Sequence, residues 1–185
     1  MVSLSSVTRR FQVPFTVIEG GSGTIYGVVS EAEQNSQPAY LFSVPRLVLR
    51  TVANGLMKPG MVIESPEGHK YIAGFNGPSE HISGTLWDSF RMFTATDQVD
   101  WYRRGKVLDN VTQLEHDSGA EKVQDTPIWV AIEQISREQL DRKIHGSFET
   151  ATFISAAPVL ADDILGDRKV TRSDLQLGLK IGTLI

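Results

Sequence analysis

The hydrophobic positions of this chain fall in short runs rich in β-branched residues, and glycine or proline separates one run from the next. Residues 16–18 (Thr-Val-Ile) and 24–29 (Thr-Ile-Tyr-Gly-Val-Val) show this best. Between them lies a small, flexible tip formed by Gly20, Gly21, Ser22 and Gly23. Because β-branched residues favour strands and a glycine-rich tip lets the chain reverse, this stretch predicts a β-hairpin.

A second strand-rich stretch covers residues 45–75. Residues 45–51 alternate, with Leu47 and Leu49 on one face and Arg46, Val48 and Arg50 on the other, which is typical of a half-buried strand. Pro59-Gly60 suits a type II turn, since proline sets φ at the second turn position and glycine adopts positive φ at the third. The segments on either side of a second turn at 66–68 then predict two short antiparallel strands, 61–64 and 70–75.

The aromatic residues concentrate in the middle of the chain. Leu86, Phe90 and Phe93 have a spacing that fits a helix, but the same segment also reads as a strand, and we favour the strand. Residues 117–119 (Asp-Ser-Gly) indicate a loop, and residues 128–132 predict another strong strand.

The best helix candidate is short. Ser136 and Gln139 have the spacing of a capping box, which predicts a helix of about two turns ending before Gly146. Short strands also resume at 148–154 and continue to the end of the sequence.

These patterns predict a mainly β fold: a small barrel or sandwich of short antiparallel strands, with at most one or two short helices. We expect a single β-rich domain over residues 1–185 with extended loops; the alternative is a division into two subdomains between residues 85 and 130. Pro45–Phe75 and Pro158–Leu184 each begin with proline and apolar residues and continue through a turn, pairing Lys58-Pro59-Gly60 with Leu165-Gly166-Asp167. Two copies of a small β unit would explain this similarity.

The amino-acid composition excludes several kinds of functional site. The chain has no cysteine, which excludes disulfides, thiolate catalysis and cysteine-ligated metals. The formal net charge of −4 does not favour binding to nucleic acid, and no apolar run approaches the ~20 residues needed to cross a bilayer. The four histidines have no metal-ligand spacing and are expected on the surface: His69, His81, His116 and His145.

Two further motifs indicate turns and not catalysis. The Gly20–Gly23 tip lacks the lysine of a phosphate-binding loop and is followed by strand sequence where such a loop needs a helix. Asp162, Asp163 and Asp167 form a tight acidic cluster, but a cation there would need ligands from elsewhere, so turn formation is the favoured interpretation. We predict no catalytic residue, no cofactor and no metal.

A basic and aromatic segment is the best candidate for binding. Trp101 and Tyr102 are followed directly by Arg103 and Arg104, and Trp87 lies earlier in the same region. Tryptophan, tyrosine and arginine concentrate binding energy at protein interfaces, and the same residues can stack on bases and contact phosphates. A solvated turn beside core aromatics is the third alternative.

One stretch resembles a known family. Residues 45–50, the segment Leu56-Met57-Lys58-Pro59-Gly60-Met61-Val62 and Gly68-His69-Lys70-Tyr71-Ile72 resemble the small β-barrel head-closure (head–tail connector) proteins of tailed bacteriophages. That family has a Leu-x-x-Gly-Asp-x-Val turn and strand, followed by a Gly-x-x-Tyr-x-Val return strand. This chain departs from the pattern with Met61 in place of the aspartate and Ala73 near the expected valine.

The resemblance implies a virion structural protein, made in the host cytoplasm, that forms a ring of identical subunits between the portal or adaptor protein and the tail proteins, with DNA passing through the ring. It implies no cofactor and no membrane. Alternatives are a tail or baseplate protein, a small-molecule or nucleic-acid-binding barrel, and an enzyme. The residues expected at interfaces are Gly20, Gly21, Ser22, Gly23, Glu31, Glu33, Trp87, Trp101, Tyr102, Arg103 and Arg104.

Overall fold

A computed structural model of the chain describes residues 12–31, 47–82, 84–109, 111, 115–134 and 151–185. Every helix or strand among these residues is a β-strand, so the predicted mainly β fold is confirmed. The helix predicted from Ser136 lies outside the described residues. The strands form two sheets, and the chain passes from one to the other at Ala95 and Thr96.

The first sheet is a closed barrel, here called the first barrel. Its neighbouring strands follow the order β3-β2-β1-β4-β5-β7, and β3 also pairs with β7, which closes the circle. The short β6 extends the edge of β7 beyond β5. Its strands are β1 (Val13–Glu19), β2 (Thr24–Glu31), β3 (Leu47–Val52), β4 (Val62–Glu64), β5 (Lys70–Phe75), β6 (Glu80–Ile82) and β7 (Thr85–Thr94).

The second sheet, here called the curled sheet, has the order β10-β9-β13-β14-β15-β12-β11-β8. β8 lies at one end of this order and β9 lies next to the other end, yet only Asp100 separates them in the chain. The sheet therefore curls so that its two ends come close together. Its strands are β8 (Asp97–Val99), β9 (Trp101–Leu108), β10 (Glu115–Lys122), β11 (Ile128–Gln134), β12 (Ala151–Ser155), β13 (Ile164–Leu165), β14 (Arg168–Gln176) and β15 (Leu179–Leu184).

The two sheets repeat one strand order. If β8 and β9 together correspond to β1, then β11, β12, β13, β14 and β15 correspond to β2, β3, β4, β5 and β7, with every neighbour relation preserved. The register also agrees. The matching cross-strand pairs are Phe15–Ile25 with Val99–Ile128, Val17–Ile63 with Trp101–Leu165, Val29–Leu49 with Ile132–Phe153, Leu47–Met92 with Ala151–Leu184, and Val62–Ile72 with Ile164–Lys169. The chain is therefore a tandem repeat.

This repeat is larger than the sequence indicated, and its turns match differently. Lys58-Pro59-Gly60 corresponds to Leu160-Ala161-Asp162, and not to Leu165-Gly166-Asp167, which forms the next turn along the chain. Gly60 and Asp162 both have positive φ, 88° and 71°. Asp162 is one of the few non-glycine residues able to adopt this conformation at low cost, because Asn and Asp tolerate the left-handed region.

Each sheet has its own apolar core, and the two cores carry their large side chains on different strands. Ten buried residues fill the first barrel, including Leu49 and Phe90, and nine fill the curled sheet, including Phe153. The counterpart of Leu49 is Phe153, and the counterpart of Phe90 is Gly182. The large aromatic ring lies on β7 in the first barrel and on β12 in the curled sheet, where Gly182 on the adjacent β15 leaves space for it.

Local predictions agree with the structure in most places. The Gly20–Gly23 hairpin tip joins β1 to β2, and the N–H of Met61 donates to the carbonyl of Lys58 at 3.3 Å across the Pro59-Gly60 turn. The segment around Phe90 is a strand, as favoured. Two predictions were wrong. Residues 117–119 lie within β10, where a bulge absorbs them, and Val48 is buried although it was expected on the exposed face.

Candidate functional site

The turn before the fourth strand of each repeat carries a buried side chain that caps the turn. In the first barrel the Sδ of Met61 accepts a contact of 3.1 Å from the N–H of Lys58. In the curled sheet the counterpart of Met61 is Asp163, and its Oδ2 accepts a hydrogen bond of 2.9 Å from the N–H of Leu160. The same position thus holds a thioether in one repeat and a carboxylate in the other.

Asp163 is 2% exposed, and its carboxylate lies at the centre of a polar cluster. Trp101 donates its indole N–H to Oδ2 at 2.8 Å, and Arg103 donates from Nε to Oδ1 and from Nη2 to Oδ2, both at 2.9 Å. The Arg103 guanidinium also lies 5.1 Å from the Trp101 ring centroid. With the bond from Leu160, both carboxylate oxygens are satisfied, as a buried charge requires.

The cluster sets the ionisation of Asp163. Burial by itself raises the pKa of the Asp163 carboxyl, because a charge is poorly solvated inside the protein. Hydrogen bonds from Arg103, Leu160 and Trp101, together with the positive charge of Arg103, outweigh that effect, and the pKa lies below its usual value. The carboxylate is therefore ionised at neutral pH and acts as a structural anion.

We expect the stabilisation from Asp163 to depend on pH. A carboxyl whose pKa is lowered by folding stabilises the protein above its unfolded pKa of about 4, and this contribution is lost as the pH falls through the folded pKa. Asp163→Asn should cost about 2 kcal/mol at pH 7, because the amide leaves donors of the cluster unsatisfied. In urea unfolding series at several pH values, the difference from the wild type should shrink below pH ~4. A difference that is constant with pH would contradict this role.

A third apolar cluster joins the two sheets. The first barrel contributes the outward-facing Val62, Ile72 and Phe93, and the curled sheet contributes residues that include Ile154 and Leu179. Barrel strands β4, β5 and β7 thus pack on β11, β12 and β15. The faces are not equivalent, because β11 and β12 correspond to β2 and β3. The internal interface is head-to-tail.

Polar contacts surround this interface. The N–H of Phe75 donates to the carbonyl of Leu177 at 2.8 Å, and Lys70 Nζ lies 5.3 Å from the ring centroid of Trp129. Burial raises the pKa of Glu19, and a hydrogen bond donated by the backbone of Trp129 partly opposes that rise. These contacts fix how the two sheets are oriented.

The structure separates the residues expected at interfaces. Trp87 and Trp101 are 8% and 4% exposed and pack within their own chain. Arg103 holds Asp163, Tyr102 is half-buried, and Arg104 is exposed on β9. The exposed tip Gly20, Gly21, Ser22 and Gly23 lies at one end of the first barrel, Glu31 ends β2, and Glu33 lies outside the described residues. Among the described members of this set, the two tryptophans are therefore core residues, and the glycine tip and Arg104 are exposed.

Other candidates for chemistry are dispersed. His69 and His81 are exposed, His116 lies in β10, and His145 is outside the described residues. Within the described part of the chain, no group of three or more His, Asp or Glu residues is arranged to hold a metal ion. The same part contains no helix long and apolar enough to cross a membrane.

The Asp163 cluster and the interface between the sheets were not predicted, although one signal for the first is present. Asp163 and Leu165 lie two residues apart, as Met61 and Ile63 do, and this alternation would place Asp163 on the inward face. Burial of a carboxylate needs a partner, and the partner Arg103 is 60 residues away in the sequence. No local pattern links the two.

Comparisons with protein-family models, with curated proteins and with solved structures found no match for this chain.

Proposed function

We propose that this protein is a structural component of a virus particle that acts by assembling into a ring at the junction between head and tail. The protein would join the portal or adaptor to the tail proteins and would leave a central passage for DNA. Its work would be done by protein–protein contacts.

The observation that carries the proposal is the recurrence of the turn pattern. The head-closure pattern places an aspartate directly after the turn glycine, and Met61 departs from it. In the second repeat the same turn has Asp163 at that position, inward-facing and hydrogen-bonded across the turn to Leu160. Val170, the counterpart of Ala73, likewise supplies the valine of the return strand. The two departures noted in the first repeat are thus absent from the second, which departs instead with Asp162 in place of the turn glycine and Arg168 in place of the tyrosine.

The principal rival is a barrel that binds a small molecule or a nucleic acid. Arg104 and Lys106 on β9 favour it, since exposed basic residues along a strand can follow a phosphate backbone. Against it, Trp101 is buried in the core of the curled sheet, and Tyr102, which shares the strand face of Arg104 and Lys106, is half-buried. We therefore prefer the assembly function.

Location in the particle tests the proposal directly. An antibody against the protein should label purified virus particles from the same source at the junction of head and tail. Label at the tail tip would favour the tail or baseplate alternative. The protein's absence from particles, together with a monomer that binds a labelled oligonucleotide, would contradict the proposal and favour the rival.

A further inference from the structure

The first barrel has an outer face whose counterpart in the curled sheet is covered. Trp129, Ala156 and Leu179 of the curled sheet belong to the apolar cluster between the sheets. Their counterparts in the first barrel, one on each of three adjacent strands, are Tyr26, Val52 and Trp87. We call these three residues the donor face; Tyr26 and Val52 are its accessible part, 58% and 38% exposed, whereas Trp87 is 8% exposed and lies beneath the surface.

The curled sheet has the complementary face, also uncovered. On the first barrel, the curled sheet packs against Val62, Ile72 and Phe93. The residues at the same positions of the curled sheet are Ile164, Lys169 and Ile185, here called the acceptor face. Ile185 is 48% exposed and Lys169 is exposed.

We propose that the donor face of one chain packs on the acceptor face of a second copy, repeating between chains the contact that each chain already makes between its two sheets. Each chain then has a donor face on its first barrel and an acceptor face on its curled sheet, so copies would add head-to-tail. Such heterologous contacts close into rings when the rotation allows it. The inference rests on the proposed function and names the surface by which that ring would form.

The residues of the donor and acceptor faces suit surfaces that are exposed to water before assembly. Arg50 stands on the first barrel where Ile154 lies in the internal interface, and the Asp162–Lys169 ion pair of 2.7 Å stands where Gly60 and Ile72 lie. The proposed contact between chains is therefore more polar than the interface between the two sheets of one chain. We expect it to be weaker and more sensitive to salt, since exposed charges are screened by ions.

Disulfide trapping tests this contact, because the chain has no cysteine of its own. In the internal interface a Cβ on Gly60 would lie 3.7 Å from the Cβ of Ala156, a separation that suits a disulfide. The counterparts of these two positions are Asp162 and Val52. The double variant Val52→Cys/Asp162→Cys should therefore form disulfides between chains under mild oxidation, giving a ladder of multimers and loss of the monomer band on non-reducing gels.

The controls define the geometry. Gly60→Cys/Ala156→Cys should give a disulfide within one chain and no multimers. Val52→Cys alone and Asp162→Cys alone should stay monomeric on the gel, but a mixture of the two single variants should give a dimer and nothing larger, as a head-to-tail contact requires. Multimers of the double variant no more abundant than those of the single variants would overturn the inference.

Failure of this inference and failure of the proposed function give different results. If native mass spectrometry shows rings of the double variant that contain no disulfide between positions 52 and 162, the ring stands and this surface is wrong. An open, cross-linked filament would keep the surface and contradict the ring.

Discussion

Trp101→Ala is expected to destabilise the isolated subunit by about 4 kcal/mol, because it removes a large core side chain. Trp101 is 4% exposed, and its indole N–H donates to the buried Asp163 carboxylate at 2.8 Å. Its loss opens a cavity and also takes one donor from a buried charge. Urea unfolding followed by circular dichroism measures the effect.

The matched variant Trp101→Phe separates the two contributions. Phenylalanine keeps most of the packing but has no N–H, so we expect a loss of about 1–2 kcal/mol. A Trp101→Ala subunit that keeps its full stability and loses only its assembly would show that Trp101 is an interface anchor, and the core role assigned to it would be wrong.

Gly182→Ala is expected to disrupt the curled sheet. A Cβ on Gly182 would overlap the backbone carbonyl of Arg172 on the neighbouring strand and would lie 2.8 Å from Cε1 of Phe153. Because a backbone atom cannot move aside as a side chain can, β14 and β15 would have to separate. We expect a cost of at least about 3 kcal/mol, at the upper end of overpacking effects.

Gly21→Ala is the control for this variant. The Cβ added there meets the far end of the flexible Met61 side chain, which can rotate away. Gly21→Ala should therefore shift the urea midpoint much less than Gly182→Ala does. Equal stability of the two variants would contradict the close packing of β14 on β15.

Local rules predicted the elements whose partners are near in sequence. The β1–β2 hairpin, the Pro59-Gly60 turn and the β4–β5 pair follow from glycine and proline conformation and from β-branched runs. These contacts join residues a few positions apart, and the residues that fix the turn lie between the paired strands.

The repeat and the site could not be predicted in the same way. The pairs that close each repeat, such as Val17–Ile63 and Trp101–Leu165, join distant residues whose identities differ between the repeats. Leu49 and Phe90 correspond to Phe153 and Gly182, so each core keeps one large aromatic ring but on a different strand. Such exchanges keep the packing and remove the similarity by which a repeat is recognised.

Electron microscopy of the assembled protein, combined with native mass spectrometry, would show whether the chains form a ring through their donor and acceptor faces. We expect a closed ring in which two kinds of barrel-like lobe alternate along the wall, with twice as many lobes as there are chains. A protein that remains monomeric at every concentration and in the presence of its particle partners, or a ring whose wall contains only one lobe from each chain, would contradict it.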